Sequence, residues 1–250
     1  ESLQRNDFAQ MSAAEIDEAL RAVQSLKLPE DARRTRRVRI AQRGRRIDWR
    51  RSLALSVRTG GALMRLARRA PQTEPTPLIL LIDVSGSMEA YARLLVVFAH
   101  TLVVQRPRVS VFLFGTRLVN VTRWLRHRDA DEALSSLGSL VTDWSGGTRI
   151  GESLARFNRL WMRRMLARGG TVLLVTDGLD RVGGEFLSNE TARLQRNCDR
   201  LVWLNPLLRF EGFEPKAAGV RAILPFVDAF RPVHNLASLA QLVKALGAKE

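Results

Sequence analysis

The chain holds one cysteine, one tyrosine and three histidines in 250 residues, and each shortage removes a class of chemistry. Cys198 alone cannot form an intrachain disulfide, which fits a reducing compartment, so a cytoplasmic location is expected. His100, His127 and His234 are scattered, and no convincing catalytic base emerges from them. His100 falls on an apolar helical pattern as a core residue, while His127, between Arg126 and Arg128, reads as surface. No apolar segment runs uninterrupted for the roughly 18 to 20 residues that cross a bilayer. Met88 to Val104 comes closest, but Glu89, Arg93 and His100 break it, so a buried helix is the better reading. The first residue is Glu1, with no signal-peptide pattern, and an earlier natural start stays open.

Acidic residues are also short, 25 against 40 lysines and arginines, for a net charge of +15. The imbalance is local. Residues 31–69 carry 14 arginines against Asp31 and Asp48, a balance of +12 that leaves only +3 for the rest. Clustered arginines bind phosphates, but Trp49 is the segment's one aromatic residue, and no helix-turn-helix, zinc or RNA-binding signature accompanies it. A solvated or partner-facing arginine surface ranks first, an acidic protein partner second and nucleic acid third.

With 46% hydrophobic residues, the chain can build one large α/β domain plus an extension. The expected division is a helical, arginine-rich N-terminal extension over 1–76 and a main domain over 77–250. In the extension, Ser12 and Glu15 form a capping box for a helix carrying Ile16, Leu20 and Val23, which Pro29 ends. Glu30 to Arg46 reads as extended or loosely ordered. A second helix begins at Asp48, is weakened at Gly60-Gly61 and includes Leu63 and Leu66; Pro71 to Pro77 is a linker.

The domain proper starts with Leu78 to Ile82, five apolar residues without polar alternation, as in a strand covered on both faces. Val109 to Phe114 and Arg117 to Thr122 form a hairpin. Further strands are expected at Thr171 to Thr176, Leu201 to Leu204 and Val220 to Phe226. Helices are expected over Met88 to Gln105, Asp129 to Leu140, Arg149 to Arg168, Glu185 to Asn197 and Asn235 to Leu246, with a loop over 207–219. This alternation predicts a doubly wound, mostly parallel sheet of the Rossmann-like kind.

The apolar run stops at Asp83, followed by Ser85, Gly86 and Ser87. In a tight loop these alternate residues turn one carboxylate and two hydroxyls toward one point, and Gly86 relaxes the backbone. Such hard oxygen donors suit Mg²⁺, Mn²⁺ or Ca²⁺ rather than zinc. Three donors leave a coordination sphere incomplete. Downstream, Ser145-Gly146-Gly147-Thr148 precedes a helical pattern and Thr176-Asp177-Gly178 closes a strand. Taken alone, Asp83 would be a helix cap, Thr148 a helix start and Asp177-Gly178 a turn. Their joint placement at predicted strand ends favours a metal site.

Enzyme patterns are missing. Ser85 stands where a haloacid dehalogenase-type phosphatase needs a second aspartate, and Asp83 stands where a serine-hydrolase elbow needs glycine. Neither a Walker A nor a dinucleotide glycine pattern follows the first strand. Asp143 and Asp180 flank the site, either as hydrogen-bond acceptors behind the metal ligands or as solvated loop residues, with solvation the preferred reading. Trp124, Trp144 and Trp203 read as packing, with Trp144 the candidate for the site rim.

Asp83-x-Ser85-x-Ser87 with Thr148 and Asp177 resembles the metal-ion-dependent adhesion site of von Willebrand factor A (VWA) domains. The stretches DWSGGTRIG (143–151), WLNP (203–206) and LPFVD (224–228), with the basic segment before the domain, resemble the CoxE-like branch. The resemblance implies that Ser85, Ser87 and Thr148 bind the cation directly, and that Asp83 and Asp177 do so directly or through water. It implies a metal-dependent protein-binding module rather than an enzyme, with Mg²⁺ as the expected cation. A partner supplies a Glu or Asp carboxylate. It further implies association with a MoxR-type AAA+ ATPase in maturing a client metalloenzyme of the carbon monoxide dehydrogenase kind. The alternatives are a nucleic-acid-associated protein using the basic arm, and a metal-dependent hydrolase.

Overall fold

The computed structural model describes residue 4 and residues 6–26, 32–58, 60–61, 66–126, 132, 148–180, 184–209 and 217–247. By contact density the chain divides into two compact units, residues 1–30 with 77–250, and residues 31–76.

The larger unit is built on six strands: β4 (Leu78–Asp83), β5 (Val109–Phe114), β6 (Leu118–Asn120), β7 (Thr171–Val175), β8 (Arg200–Asn205) and β9 (Ala229–Pro232). Their order across the sheet is β6-β5-β4-β7-β8-β9. All neighbours run parallel except β5 and β6, which pair antiparallel. Every residue of β4 is buried, because helices cover both faces. Leu78, Leu80 and Ile82 enter one apolar cluster, and Ile79 and Leu81 enter the other. Each such side chain contributes about 1.5–3 kcal/mol relative to exposure, so period-two burial on both sides explains why the run has no polar alternation.

The first cluster contains α1 (Ala13–Gln24), α3 (Glu89–Gln105) and α7 (Leu236–Gly247). The second contains α4 (Ile150–Phe157), α5 (Gly184–Gln195) and α6 (Ala218–Ile223). Both bonds of the Ser12–Glu15 capping box form at the start of α1. Gly86–Gln105 has a mean hydropathy of 1.4, long and apolar enough for a membrane span by composition, yet most of it is packed inside this unit. The chain leaves β4 through α3 on one face toward β5, and leaves β7 through α5 on the other face toward β8. Strand order therefore reverses beside β4, and a crevice opens at the carboxyl ends of β4 and β7.

The smaller unit corrects the expectation of a helical basic extension. Its arginine-rich stretch is β1 (Ala32–Ile40), paired antiparallel with β3 (Arg68–Pro75), and β2 (Arg46–Ile47) lies on the other side of β3. Cross-strand pairing overrides the weak local preference of the arginines, and the expected Pro71 to Pro77 linker is mostly strand. The helix α2 (Trp49–Val57) starts where expected, with the Asp48 side chain accepting from the Arg51 amide at 3.2 Å, but ends before Gly60-Gly61. Ser52 ties it down, accepting from the Ala67 amide at 2.9 Å and donating to the Asp48 carbonyl at 2.8 Å.

Two further expectations change. Val220 to Phe226 is α6 followed by a 3-10 turn, and the last strand is β9, a half-buried edge where Pro232 costs no central ladder bond. The single helix expected over 149–168 is α4, a π-helical stretch Asn158–Met162 and a short turn Arg163–Met165. The helix expected at Asp129 to Leu140, and His127, Asp143, Trp144 and Ser145 to Gly147, lie outside the described residues, Glu132 excepted.

Candidate metal centre

Asp83 ends β4 and is fully buried. Parallel pairing sets Ile82 against Val175, which brings the next residue of each strand, Asp83 and Thr176, level at the sheet's carboxyl edge. The Thr176 hydroxyl donates to Asp83 Oδ2 at 2.7 Å, and the Ser85 amide donates to Asp83 Oδ1 at 2.9 Å. Both carboxylate oxygens are thus fixed. The Ser85 and Ser87 hydroxyls lie 3.2 Å apart, with Ser85 buried and Ser87 exposed. Alternate residues do converge, as the spacing requires. Gly86 is not in the positive-φ region, so the loop does not use the backbone freedom expected of this glycine. The loop here tightens into the 3-10 turn Gly86–Met88.

Positive φ occurs instead at Gly178, at 82°. A Cβ there would meet the Trp203 ring at 2.9 Å, so glycine is needed for conformation and for space. Asp177 is buried beside it; its Oδ1 accepts from the Leu179 amide at 2.9 Å and its carbonyl from Asn205 Nδ2 at 3.2 Å. Trp203 is packing, as expected, but its indole also donates to the Thr176 carbonyl at 3.0 Å.

Thr148 is buried just before α4. Its placement follows from two anchors. The Arg149 amide donates to the Gly115 carbonyl, after β5, at 3.1 Å, and the Ile150 amide donates to Asp180 Oδ1, after β7, at 3.0 Å. Since β5 and β7 flank β4, the segment is pinned across the mouth of the crevice. Asp180 therefore satisfies a free amide at the helix start rather than sitting solvated. The sequence offered Asp180 as an acceptor flanking the site but not its partner 30 residues away, and Thr176, legible only as part of a strand-end turn, was missed as Asp83's partner.

Burial pushes the Asp83 carboxyl up to about 6. Hydrogen bonds from Ser85 and Thr176 oppose that rise, and the negative charge of Asp177 adds to it. Among the described residues no arginine, lysine or histidine pairs with either carboxylate. Nor do those residues contain a cluster of three His, Cys, Asp or Glu side chains, so a cation here would depend on hydroxyl ligands as well. Two buried carboxylates and three hydroxyls without a countercharge are a donor set that fits a hard divalent cation.

A parallel sheet with helices on both faces, and this oxygen-lined loop at its switch point, defines a VWA-type domain. The chain belongs to the family described as VWA domain containing CoxE-like protein, whose model matches residues 19–239. The pilus adhesin SpaC from Lactobacillus rhamnosus GG has the same fold, at TM-score 0.50 and 13% identity, over 70% of this chain and 30% of that one. A von Willebrand factor type A protein from Catenulispora acidiphila aligns at TM-score 0.49 and 18% identity, over 90% of this chain and 51% of that one. Proximal thread matrix protein 1 from the mussel byssus, with a zinc-occupied MIDAS motif, aligns at 0.41 and 18%, over 69% and 47%. The chain thus spans about half the length, or less, of these three proteins. Comparison with curated proteins gives no match.

Proposed function

We propose that this protein is a metal-dependent protein–protein interaction module in which Asp83, Ser85, Ser87, Thr148 and Asp177 hold a divalent cation, Mg²⁺ in the cell. The supporting observation is that the buried Asp83 carboxylate, held by Thr176 and Ser85, lies within the field of the buried Asp177 carboxylate, with no cationic side chain paired to either among the described residues. The cation supplies an electrophilic centre for an incoming ligand. This chain's residues set its strength: at most two carboxylates and otherwise neutral hydroxyls leave net positive charge at the site, so a Glu or Asp carboxylate from a partner is favoured. Thr176 and the Ser85 amide keep Asp83 in one orientation, and Asp180 and the Gly115 carbonyl keep Thr148 in place. Among the described residues no pair in the crevice is arranged as nucleophile and base, and binding rather than turnover is the role assigned.

Family membership supports a finer reading, a cytoplasmic adaptor between a MoxR-type AAA+ ATPase and a client metalloenzyme of the carbon monoxide dehydrogenase kind. The arginine-rich sheet would serve as a second docking surface for acidic protein. The test is co-purification with such an ATPase in Mg²⁺ and in EDTA. Association in Mg²⁺ that is lost in EDTA and in Asp83→Ala supports the reading, and its absence in Mg²⁺ overturns it. Binding that survives EDTA but vanishes in high salt with DNA or RNA would instead assign the basic segment to nucleic acid.

A further inference from the structure

α4, the π-helical stretch that follows it and α5 line an open cleft of about 580 Å³ with Arg156, Arg159 and Arg193 together with Glu152, Glu190 and Phe186. Its acidic residues are already engaged. Glu152 accepts from Arg149 at 3.2 Å, and Glu190 accepts from Asn158 Nδ2 at 2.8 Å and lies 3.9 Å from Arg193. Arg156 and Arg159 are exposed and have no carboxylate partner among the described residues. The π-helical stretch begins at Asn158, whose side chain is buried against α5, and π-bulges of this kind are frequent at functional sites.

The cleft and the proposed metal site share α4. Thr148 leads directly into α4, and the ring of Phe186 lies over its first turn, so close that a Cβ on Gly151 would meet it at 2.9 Å. Phe186 is 42% exposed and forms an apolar step between the two regions. At 1.5 Å per helical residue, Arg156 and Arg159 lie roughly 12 to 16 Å along the chain axis from Thr148. An extended peptide covers that distance in about four or five residues.

We propose that this cleft is a second acidic-side-chain subsite for the same protein partner, so that one acidic segment places a carboxylate on the cation and another between Arg156 and Arg159. The proposal rests on the metal-dependent reading above. Guanidinium groups bind carboxylates through paired hydrogen bonds, and such contacts set both orientation and affinity.

The test is fluorescence anisotropy of labelled hexaglutamate with the full chain, at fixed ionic strength, in Mg²⁺ and in EDTA. Arg156→Glu/Arg159→Glu should weaken binding by about tenfold or more in both conditions, whereas the Lys/Lys double variant retains most of it. Arg21→Glu/Lys244→Glu, an equal charge change at exposed positions of α1 and α7 on the opposite face of the main sheet, should stay near wild type. Melting temperatures establish that each variant is folded. Wild-type binding of Arg156→Glu/Arg159→Glu that still responds to EDTA overturns the subsite and leaves the metal reading standing. Loss in the Arg156/Arg159 variant with no EDTA effect supports an acidic-binding cleft but removes the cation from recognition. Equal losses in both charge-reversal variants, or no binding by the wild type, overturn the subsite.

Discussion

At Asp83, one buried carboxyl carries opposite consequences for stability and for metal binding. Its folded-state value is raised to about 6. Folding therefore favours the protonated form, and the stabilisation is full below the unfolded value near 4 and lost as pH rises through about 6. In EDTA, wild-type melting temperature should fall between pH 4 and 6 relative to Asp83→Asn. At pH 7 the variant should be the more stable, by on the order of 2 kcal/mol. It should also lose the thermal shift that Mg²⁺ gives the wild type. Parallel pH curves for the two proteins would refute this account. Cys198 makes a separate case: burial first, then the charges of Asp228 and Asp199, push its thiol up to about 12. Alkylation by iodoacetamide at pH 8 should thus be at least roughly tenfold slower in the folded protein than in urea, and equal rates would contradict the burial.

Among the elements, the loop after β7 is held by close backbone contact as much as by hydrogen bonds. A Cβ on Gly219, in α6, would lie 2.1 Å from the Gly178 carbonyl. Gly219→Ala must therefore displace either α6 or the loop carrying Asp177. A several-degree drop in melting temperature and about tenfold weaker Mg²⁺ affinity are expected, measured by thermal shift against metal concentration. An unchanged affinity would show that the loop absorbs the displacement elsewhere. The same region shows what sequence conveys. β4, β5, β7 and β8 were legible because doubly covered strands are largely apolar, with Ser110 the one polar residue inside them, and Ser12-x-x-Glu15 marked α1 through its own chemistry. The sequence placed Asp83, Ser85 and Ser87 in one loop and pointed to Thr148 and Asp177 at other strand ends. α6 was misread because Val220, Ala222 and Ile223 suit either state over so short a run. β1 was legible only as an extended or loosely ordered stretch, because an arginine strand has little intrinsic signature and exists through its pairing with β3. The roles of Thr176 and Asp180 depend on register and on contacts distant in sequence, which local patterns do not encode.

For the molecule as a whole, the first 30 residues belong to the same compact unit as 77–250, and the basic sheet is an insertion between them. Three contacts fix the N-terminal segment to the larger unit: the Phe8 amide on the His234 carbonyl at 2.9 Å, the Tyr91 hydroxyl on Asp7 at 3.2 Å and Gln105 on the Leu26 carbonyl at 2.8 Å. Replacing residues 31–76 by a flexible glycine–serine linker should leave a cooperatively melting protein that still responds to Mg²⁺, while removing most of the positive charge. Loss of cooperative melting would show that the larger unit depends on the insertion.

The order in which the ribosome releases the chain gives this arrangement a temporal side. α1 emerges well before α3 and α7, against which it packs, so the side of its apolar stripe that meets α7 stays unsheltered while roughly two hundred further residues are made. The Arg-bearing sheet, closed by pairings entirely within 32–75, has all of its strands outside the tunnel long before that. Newly made chains would thus present a finished cationic module while the cation-binding crevice is still incomplete, and any escort recognising that module could engage the protein before its metal loop exists.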